Sequence, residues 1–349
     1  MDDLPEQDPV ARYYGEKIRT AADLQTGVCT CREPLPAAHR AILATIDAEI
    51  LDRFYGCGSP IPPAIEGATV LDLGCGCGRD VFLLSKLVGP NGRVIGVDLL
   101  QSQLDIAERH REDQARRFGH PRSNVEFRRG RIEDLGAIGI ADGSVDVVVS
   151  NCVINLSRDK DAIFREVRRV LKPGGEFLFA DVFADRRLPA EMRRDAVLIG
   201  ECLGGALYTE DFRRAMEKAG FADHRVVSTT RSEIGDQDIA ERIGNIVFSS
   251  DTVRAFKLDD LEDRCEDYGQ VAIYLGTIPD HPNGFALDDH HRFETGRPML
   301  VCGNTAAMVS QTRYASHFRL IGDRTVHFGA FDCGGGTRQA RDGETSCGC

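Results

Sequence analysis

Short apolar runs alternate with amphipathic segments along the first two thirds of the chain. Residues 70–73, 94–97 and 145–149 are mainly branched apolar residues, which is typical of strands buried on both faces of a parallel sheet. The segments between these runs carry polar and apolar residues at helical spacing, which predicts helices beginning near Val81 and spanning residues 102–118 and 159–171. The alternation therefore predicts an α/β fold around a parallel sheet.

A glycine-rich loop follows the first predicted strand. Residues 74–78 read Gly-Cys-Gly-Cys-Gly, and glycine both tolerates positive φ and lets the backbone approach a ligand closely. Twenty residues after Gly78, the next predicted strand ends in Asp98, where a carboxylate can accept both hydroxyl groups of a ribose. The loop lacks the G-x-G-x-x-G spacing of dinucleotide binders. Strand, loop, helix, strand and acid together indicate a nucleoside-binding site rather than an ordinary turn.

The pattern changes character near Ser228. Short alternating segments such as residues 271–275 are interrupted by Pro279 and by residues 282–284 and 296–298, which predicts small strands and turns. A chain of 349 residues suggests two domains, at about 150 residues for each. We expect four parts: an N-terminal arm with helices at 1–64, a core at 65–227, a smaller α+β domain at 228–330 and a flexible cysteine- and glycine-rich tail at 331–349.

Composition and charge exclude some classes of partner. Hydrophobic residues make up 42% of the chain, which is enough for a full core, and the formal net charge is −12. A nucleic acid partner needs a basic face on the protein, so we expect no nucleic acid partner. The arginine pairs at 128–129 and 193–194 are interpreted as solvated faces. No apolar run reaches the length of a membrane helix, and the acidic start lacks the parts of a signal peptide. We expect a cytoplasmic monomer without a membrane partner.

Twelve cysteines need an explanation other than structural disulfides, because the cytosol keeps most thiols reduced. Their spacing does not match that of structural zinc sites. Cys75 and Cys77 lie within the glycine loop and are interpreted as structural. Cys152 directly follows the predicted strand at 145–151, and ligands bind at the carboxyl ends of strands in open α/β sheets. A cysteine in that position is also often a small buried hydrophobic residue, so the residues alone leave both interpretations open.

The second half of the chain offers a weaker candidate for a metal site. His290 and His291 follow Asp288 and Asp289. Adjacent positions rarely converge on one ion, so we expect an exposed acidic loop there. Cys265 and Cys302 are assigned no catalytic role.

Several segments of residues 65–225 resemble class I methyltransferases that use S-adenosylmethionine. The resemblance rests on residues 72–78, Asp98, residues 132–133, the strand before Asn151 and the turn at 171–175. It implies a Rossmann-like sheet with helices on both faces. The residues that it implies for cofactor binding are Asp72, Gly74, Gly76, Gly78, Asp98, Gln103, Ile132, Glu133 and Asn151.

Four cysteine-containing segments, in their order around this core, resemble the arsenite methyltransferases. They surround Cys29, Cys57, Cys152 and Cys202, and the likeness extends to residues 13–15 and, in the later half, to about 235–328. The resemblance implies an enzyme that transfers methyl groups from S-adenosylmethionine to thiol-bound trivalent arsenic. Arsenite would be converted to methyl- and dimethylarsenicals, in arsenic detoxification.

Such chemistry explains why cysteines would be needed. Trivalent arsenic is a soft centre and prefers thiolates to oxygen ligands. It keeps a lone pair when three sulfurs hold it in a pyramid, and that lone pair can attack the sulfonium methyl group in line. The protein then contributes mainly positioning and desolvation, and no general base is required.

The resemblance also implies a role for each cysteine. Cys152 and Cys202 would hold the arsenic through its trivalent intermediates, including methylarsenite, and Cys57 would be a third ligand for inorganic arsenite. Cys29 and Cys57 would then form a disulfide that returns the arsenic to the trivalent state, and thioredoxin or glutathione would reduce the pair. Cys31 is close enough to Cys29 to compete for this role.

Two alternatives remain at this stage. The protein could methylate carbon or oxygen of a small organic acceptor, with its cysteines serving only for packing. It could also bind arsenic without turnover, although the complete loop at 72–78 and Asp98 speak against that.

The tail ends in Cys347-Gly348-Cys349. A mobile thiol pair there could capture arsenite near the site. The competing interpretation is a disordered end whose cysteines are incidental.

Overall fold

The computed structural model describes residues 35–332. They divide into two compact units whose boundary lies between Lys257 and Leu258, and each unit is described by itself. Cys29, Cys31 and the cysteines of the tail lie outside the described residues.

The larger unit is built on a mixed sheet. Its first five strands are parallel, and β8 is antiparallel to both of its neighbours, in the order β3-β2-β1-β4-β5-β8-β7, with β6 pairing the end of β5. The strands are β1 Thr69–Leu73, β2 Arg93–Asp98, β3 Val125–Arg129, β4 Val145–Asn151, β5 Leu171–Ala184, β6 Leu207–Tyr208, β7 His224–Arg231 and β8 Phe248–Phe256.

Helices cover both faces of this sheet. They are α1 Ala37–Leu43, α2 Ala48–Leu51, α3 Arg79–Val88, α4 Gln101–Phe118, α5 Lys160–Val170, α6 Ala196–Gly200, α7 Thr209–Lys218 and α8 Gln237–Ile243, with 3₁₀ turns at Ile154–Leu156 and Met192–Arg194. The side-chain carboxylate of Asp159 accepts a hydrogen bond from the Ala162 N–H and so caps α5. The predicted parallel sheet and the helices near 81, 102–118 and 159–171 are confirmed.

Successive residues of the central strands enter two different hydrophobic clusters. In β1, Val70 packs among side chains of α3 and α4, whereas Leu71 packs with side chains of α5 and α7. This alternation follows from the two-residue period of a strand, which points neighbouring side chains to opposite faces. Both faces are apolar because both are covered, as the continuous apolar runs in the sequence indicate.

The larger unit extends further along the chain than the sequence pattern suggests. We predicted that the core ends at residue 227, but β8 lies between β5 and β7 and belongs to the central sheet. The buried Arg254 of β8 pairs with the buried Glu176 of β5 at 2.6 Å. The larger unit therefore ends at residue 257 and not at 227 as predicted. The sequence pattern did not show this, because β5 and β8 are far apart in the chain although they pair.

The smaller unit is an α+β structure, as predicted. Its strands are β9 Glu266–Asp267, β10 Gln270–Tyr274, β11 Gly284–Ala286, β12 Arg292–Glu294, β13 Pro298–Val301, β14 Phe318–Ile321 and β15 Gly329–Ala330, with the helix α9 Gly303–Ser310 and a 3₁₀ turn at Ala315–His317. The strands β13, β10 and β14 form its largest sheet, and the buried rings of Tyr274, Phe285 and Phe318 pack together at its core.

No helix within residues 35–332 combines the length and the apolar character that crossing a membrane requires.

Candidate active site

The glycine loop lies at the carboxyl end of β1, as predicted. Gly74, Gly76 and Gly78 have φ values of 72°, 52° and 87°, a region that side chains rarely adopt. A Cβ atom at Gly76 would have no neighbour within 4 Å, so its backbone conformation, rather than crowding, requires glycine. Because Gly76 has no side chain and open space adjoins it, a ligand can reach the loop backbone there. Gly78 serves differently, because it is the N-cap residue of α3.

Asp98 ends β2 and is tied to this loop. One carboxylate oxygen accepts the Gly76 N–H at 2.9 Å, and the other accepts the Leu100 N–H at 2.8 Å. Burial raises the pKa of Asp98 above its usual value, and these two hydrogen bonds oppose that shift. The carboxylate is therefore fixed in direction before any ligand arrives.

A cavity of about 930 Å³ opens at this edge of the sheet, within the range of small-molecule sites. Its lining includes nearly all of the residues predicted to bind the cofactor: Asp72, Gly74, Gly76, Asp98, Gln103, Ile132, Glu133 and Asn151. A volume of this size, bare backbone and several carboxylates fit a ligand that combines a ribose with a cationic centre. The residues present therefore fit S-adenosylmethionine.

The cavity also contains residues that the sequence analysis missed. Phe54 and Tyr55 line it, and the Arg79 guanidinium lies 3.8 Å from the centre of the Phe54 ring and pairs with Asp80 at 2.7 Å. Burial, followed by the charges of Asp80 and Asp98, raises the pKa of Asp72 well above its usual value. The two aromatic residues just before Cys57 were a signal that could have placed this segment at the site.

Three predicted cysteines converge beside the cavity. Cys57 and Cys152 form a disulfide, with their Cα atoms 5.8 Å apart. The Cys202 thiol donates a hydrogen bond to the Cys152 carbonyl at 3.4 Å. All three are buried, and of the three only Cys152 lines the cavity. The implied pairing of Cys57 with Cys29 involves a residue outside the described range.

Two of these cysteines have an unusual backbone. Cys152 and Cys202 have φ values of 56° and 62°, in the left-handed region that costs a non-glycine residue free energy. Such conformations persist where the surrounding structure holds them. Here the Cys152 N–H donates to the Ala180 carbonyl of β5 at 2.8 Å, which fixes this cysteine at the end of β4.

An acidic side chain completes the cluster. Asp181 of β5 has a carboxylate oxygen within 4.8 Å of the sulfurs of both Cys57 and Cys152. Burial raises its pKa to about 6, although hydrogen bonds from the Val182 and Asn155 N–H groups oppose that shift. Nothing in the local sequence around Asp181 distinguishes it from the end of an ordinary strand, so its place in the cluster follows only from the fold.

Lys160 brings a positive charge to the same region. Its ammonium donates to the Ser157 carbonyl at 2.8 Å and to the Asn155 carbonyl at 3.4 Å. Burial lowers its pKa, and the charges of Asp181, Cys202 and Glu133 oppose that shift. Lys160 lines the cavity, so it contributes a cation close to the cysteine cluster.

Cys75, Cys77 and Cys302 have surroundings typical of structural residues. Burial raises the pKa of Cys75 well above its usual value and that of Cys77 to about 12, so both stay thiols at neutral pH. Cys302, in the smaller unit, accepts the Thr305 N–H and caps α9.

The loop around His290 differs in part from the prediction. Asp289 and His290 are exposed, as expected, but Asp288 and His291 are buried and pair with each other at 2.9 Å. Asp288, Asp289 and His290 lie close enough together to hold an ion, although exposed acidic groups are common without one.

Comparisons with known proteins agree with this site. A family model described as a methyltransferase domain matches residues 65–220, and the arsenite methyltransferase C-terminal domain matches residues 267–333. The chain is 51% identical to an arsenite methyltransferase of Aquipseudomonas alcaligenes, over 97% of this chain and 99% of that one. It is 40% identical to the human arsenite methyltransferase, over 93% and 86% of the two chains.

A solved structure supports the same assignment. The crystal structure of an arsenic(III) S-adenosylmethionine methyltransferase from Chlamydomonas reinhardtii superposes with a TM-score of 0.84 at 51% identity. The match covers 86% of this chain and all of that one.

The sheet order, the glycine loop and the acid at the end of β2 define a class I methyltransferase that uses S-adenosylmethionine. The near full-length relatives make the assignment more specific. The chain belongs to the arsenite methyltransferase family, and the predicted family and fold are confirmed.

Proposed function

We propose that this enzyme methylates trivalent arsenic held by Cys57, Cys152 and Cys202. The observation that carries the proposal is the position of Cys152. It lines the cofactor cavity, bonds to Cys57 and accepts the thiol hydrogen of Cys202. Three cysteines that are distant in sequence thus meet beside the cavity, with Cys152 in its wall, where a soft acceptor would face the methyl donor.

The protein's own residues account for most of this chemistry. Bound S-adenosylmethionine supplies the electrophilic methyl group. The residues that would hold it are the loop at 74–78, Asp98, and Ile132 with Glu133. The cysteines bind the acceptor as thiolates, so arsenic affinity should rise with pH as the thiols ionise. Burial of the cluster would remove water from the acceptor, and Cys152 would place the acceptor at the cavity wall.

A change of oxidation state accompanies each transfer. Forming the new carbon–arsenic bond uses the arsenic lone pair and leaves arsenic formally pentavalent, so two electrons must return before the next cycle. Oxidation of two thiols to a disulfide supplies these two electrons. We propose Cys29 and Cys57 as that pair, with Cys31 as the competing partner, and thioredoxin or glutathione as the final reductant.

The presence of the Cys57–Cys152 disulfide supports a redox role for Cys57. The arsenic-binding form requires both of these sulfurs as thiolates, so it is the reduced protein that would bind substrate. A thiol reductant is therefore needed both to open the site and to complete each cycle.

Incubation of the purified protein with S-adenosylmethionine, arsenite and glutathione or thioredoxin tests the proposal. Methyl- and dimethylarsenicals, separated by chromatography, should form with the wild type and not with Cys152→Ser. Cys302→Ser is a matched control, because it changes a fully buried cysteine in the other unit that takes no part in a disulfide. Cofactor binding without methylarsenicals, or activity that survives combined Cys152→Ser and Cys202→Ser, would refute the proposal and point to an organic acceptor.

A further inference from the structure

Two buried asparagines flank Cys152 and contact the other two cysteine segments. Asn151 is the last residue of β4, and Asn155 lies in the following 3₁₀ turn. Their exposed fractions are 8% and 4%. Burial of a polar amide costs free energy unless its hydrogen bonds are made, so the groups that these two amides contact show what they hold in place.

Asn151 holds the segment of Cys57. Its side-chain oxygen accepts the Gly58 N–H at 3.3 Å, and its side-chain nitrogen donates to the Gly58 carbonyl at 2.9 Å. The amide thus mimics a strand partner for the residue next to Cys57. Ser250 of β8 supports the same turn, since its hydroxyl donates to the Cys57 carbonyl at 2.9 Å.

Asn155 holds the segment of Cys202. Its side-chain nitrogen donates to the Cys202 carbonyl at 3.4 Å and to the Val182 carbonyl of β5 at 2.6 Å. The segment also packs directly on this residue, because a Cβ atom added at Gly205 would lie 1.8 Å from the Asn155 carbonyl oxygen. Asn155 therefore connects the Cys202 segment to the central sheet.

We propose that Asn151 and Asn155 are positioning residues with separate tasks, Asn151 for Cys57 and Asn155 for Cys202. This inference rests on the proposed function and deepens it. Inorganic arsenite has three exchangeable hydroxyl groups and can take three thiolates, whereas methylarsenite has two because carbon occupies one position. Loosening Cys57 should therefore impair arsenite selectively, and loosening Cys202 should impair both acceptors.

Direct binding measurements test this division without turnover. Reduced wild-type protein and its variants are dialysed anaerobically against arsenite or methylarsenite, without cofactor, and bound arsenic is quantified. Asn151→Ser and Ser250→Ala should weaken arsenite binding by about threefold to tenfold, the effect of losing hydrogen bonds, and weaken methylarsenite binding less. Asn155→Ser and the isosteric Asn155→Asp should weaken both by about tenfold or more.

Ser250→Ala separates the Cys57 effect from cofactor binding, because Asn151 also donates to Asp80 in the cavity wall at 3.2 Å, whereas Ser250 does not line the cavity. Asn124→Ser is the structural control. The Asn124 amide likewise donates to two backbone carbonyls, those of Ser85 and Gly89, away from the cavity, and its loss should leave both arsenic affinities unchanged.

The outcomes separate the inference from the proposed function. Equal weakening of both acceptors in every variant, in proportion to lost thermal stability, would overturn the assignment of separate tasks. Binding of both arsenicals by the wild type without methylation would refute the proposed function, while the variant affinities still decide the inference. Absence of binding to reduced wild-type protein would overturn both.

Discussion

The Cys202 thiol lies 3.4 Å from the Cys152 carbonyl oxygen, although 50 positions separate the two cysteines in the chain. This contact holds the Cys202 sulfur against the end of β4, next to the disulfide that joins Cys152 to Cys57. The three sulfur-bearing segments thus meet at the end of β4, where Cys152 lines the cavity.

Replacement of individual cysteines should give acceptor-dependent results. Cys202→Ser should lower methylation of arsenite and of methylarsenite by about a hundredfold or more, because a hard hydroxyl is a poor ligand for a soft centre. Cys57→Ser should lower methylation of arsenite to a similar extent but retain methylation of methylarsenite, because excess thiol reductant then takes over the reducing role proposed for Cys57. Initial rates with each acceptor, under excess thiol reductant, provide the measurement. Equal losses for Cys57→Ser with both acceptors would contradict a ligand role confined to arsenite.

Asp98→Asn should weaken cofactor binding. The carboxylate is fixed by the Gly76 and Leu100 N–H groups, and an amide would place an N–H group against one of these donors. We expect the dissociation constant of S-adenosylmethionine to rise by about tenfold to a hundredfold, measured by calorimetric titration. Asp105→Asn, at an exposed position of α4, is the control. An unchanged dissociation constant for Asp98→Asn would place the cofactor elsewhere in the cavity.

Glu176→Gln should destabilise the larger unit. Glu176 and Arg254 are almost fully buried and form the ion pair between β5 and β8. Removing the negative charge breaks this buried ion pair, which costs about 3–5 kcal/mol. Chemical denaturation measures the loss. Asp211→Asn breaks the exposed pair with Arg187 and should change stability little; similar losses in both variants would show that burial is not the cause.

His224 should make stability fall in mild acid. Burial lowers its pKa below 6.5, and the charges of Arg213 and Arg225 act in the same direction, opposed by Asp223 and Glu210. The unfolded chain therefore binds the proton more readily than the folded protein, so the stability contribution is complete above pH 6.5 and is lost as the pH falls through the lower folded pKa.

Urea unfolding at pH 7.5 and at pH 5.5 provides the measurement. His224→Gln should reduce the difference in the free energy of unfolding between these two pH values. The prediction fails if His224→Gln shows the same pH dependence as the wild type.

Local sequence predicted the position of the glycine loop and of Asp98 beside it. The glycine loop and Asp98 belong to neighbouring strands of one βαβ unit, and the φ values of three glycines follow from the turn that joins strand to helix. Such features are encoded within a few tens of residues. The cysteines were singled out by resemblance, since a buried cysteine after a strand has no local signature of ligand binding.

The supporting residues of the cysteine cluster could not be predicted in this way. Asp181, Lys160 and Asn155 acquire their importance only through contacts made by the folded chain. The same holds for the disulfide, whose cysteines are 95 positions apart. The end of the larger unit was misplaced for the related reason that β8 pairs with a strand far earlier in the chain.

The position of β8 sets a limit on how this protein can be shortened. A fragment cut at residue 227 would leave the β5 backbone without its antiparallel neighbour, and an unpaired strand edge promotes aggregation. It would also remove Ser250, whose hydroxyl donates to the Cys57 carbonyl, and Arg254, which pairs with the buried Glu176. Engineers who seek a minimal catalyst should therefore place the first feasible cut after Lys257, where the sheet is complete.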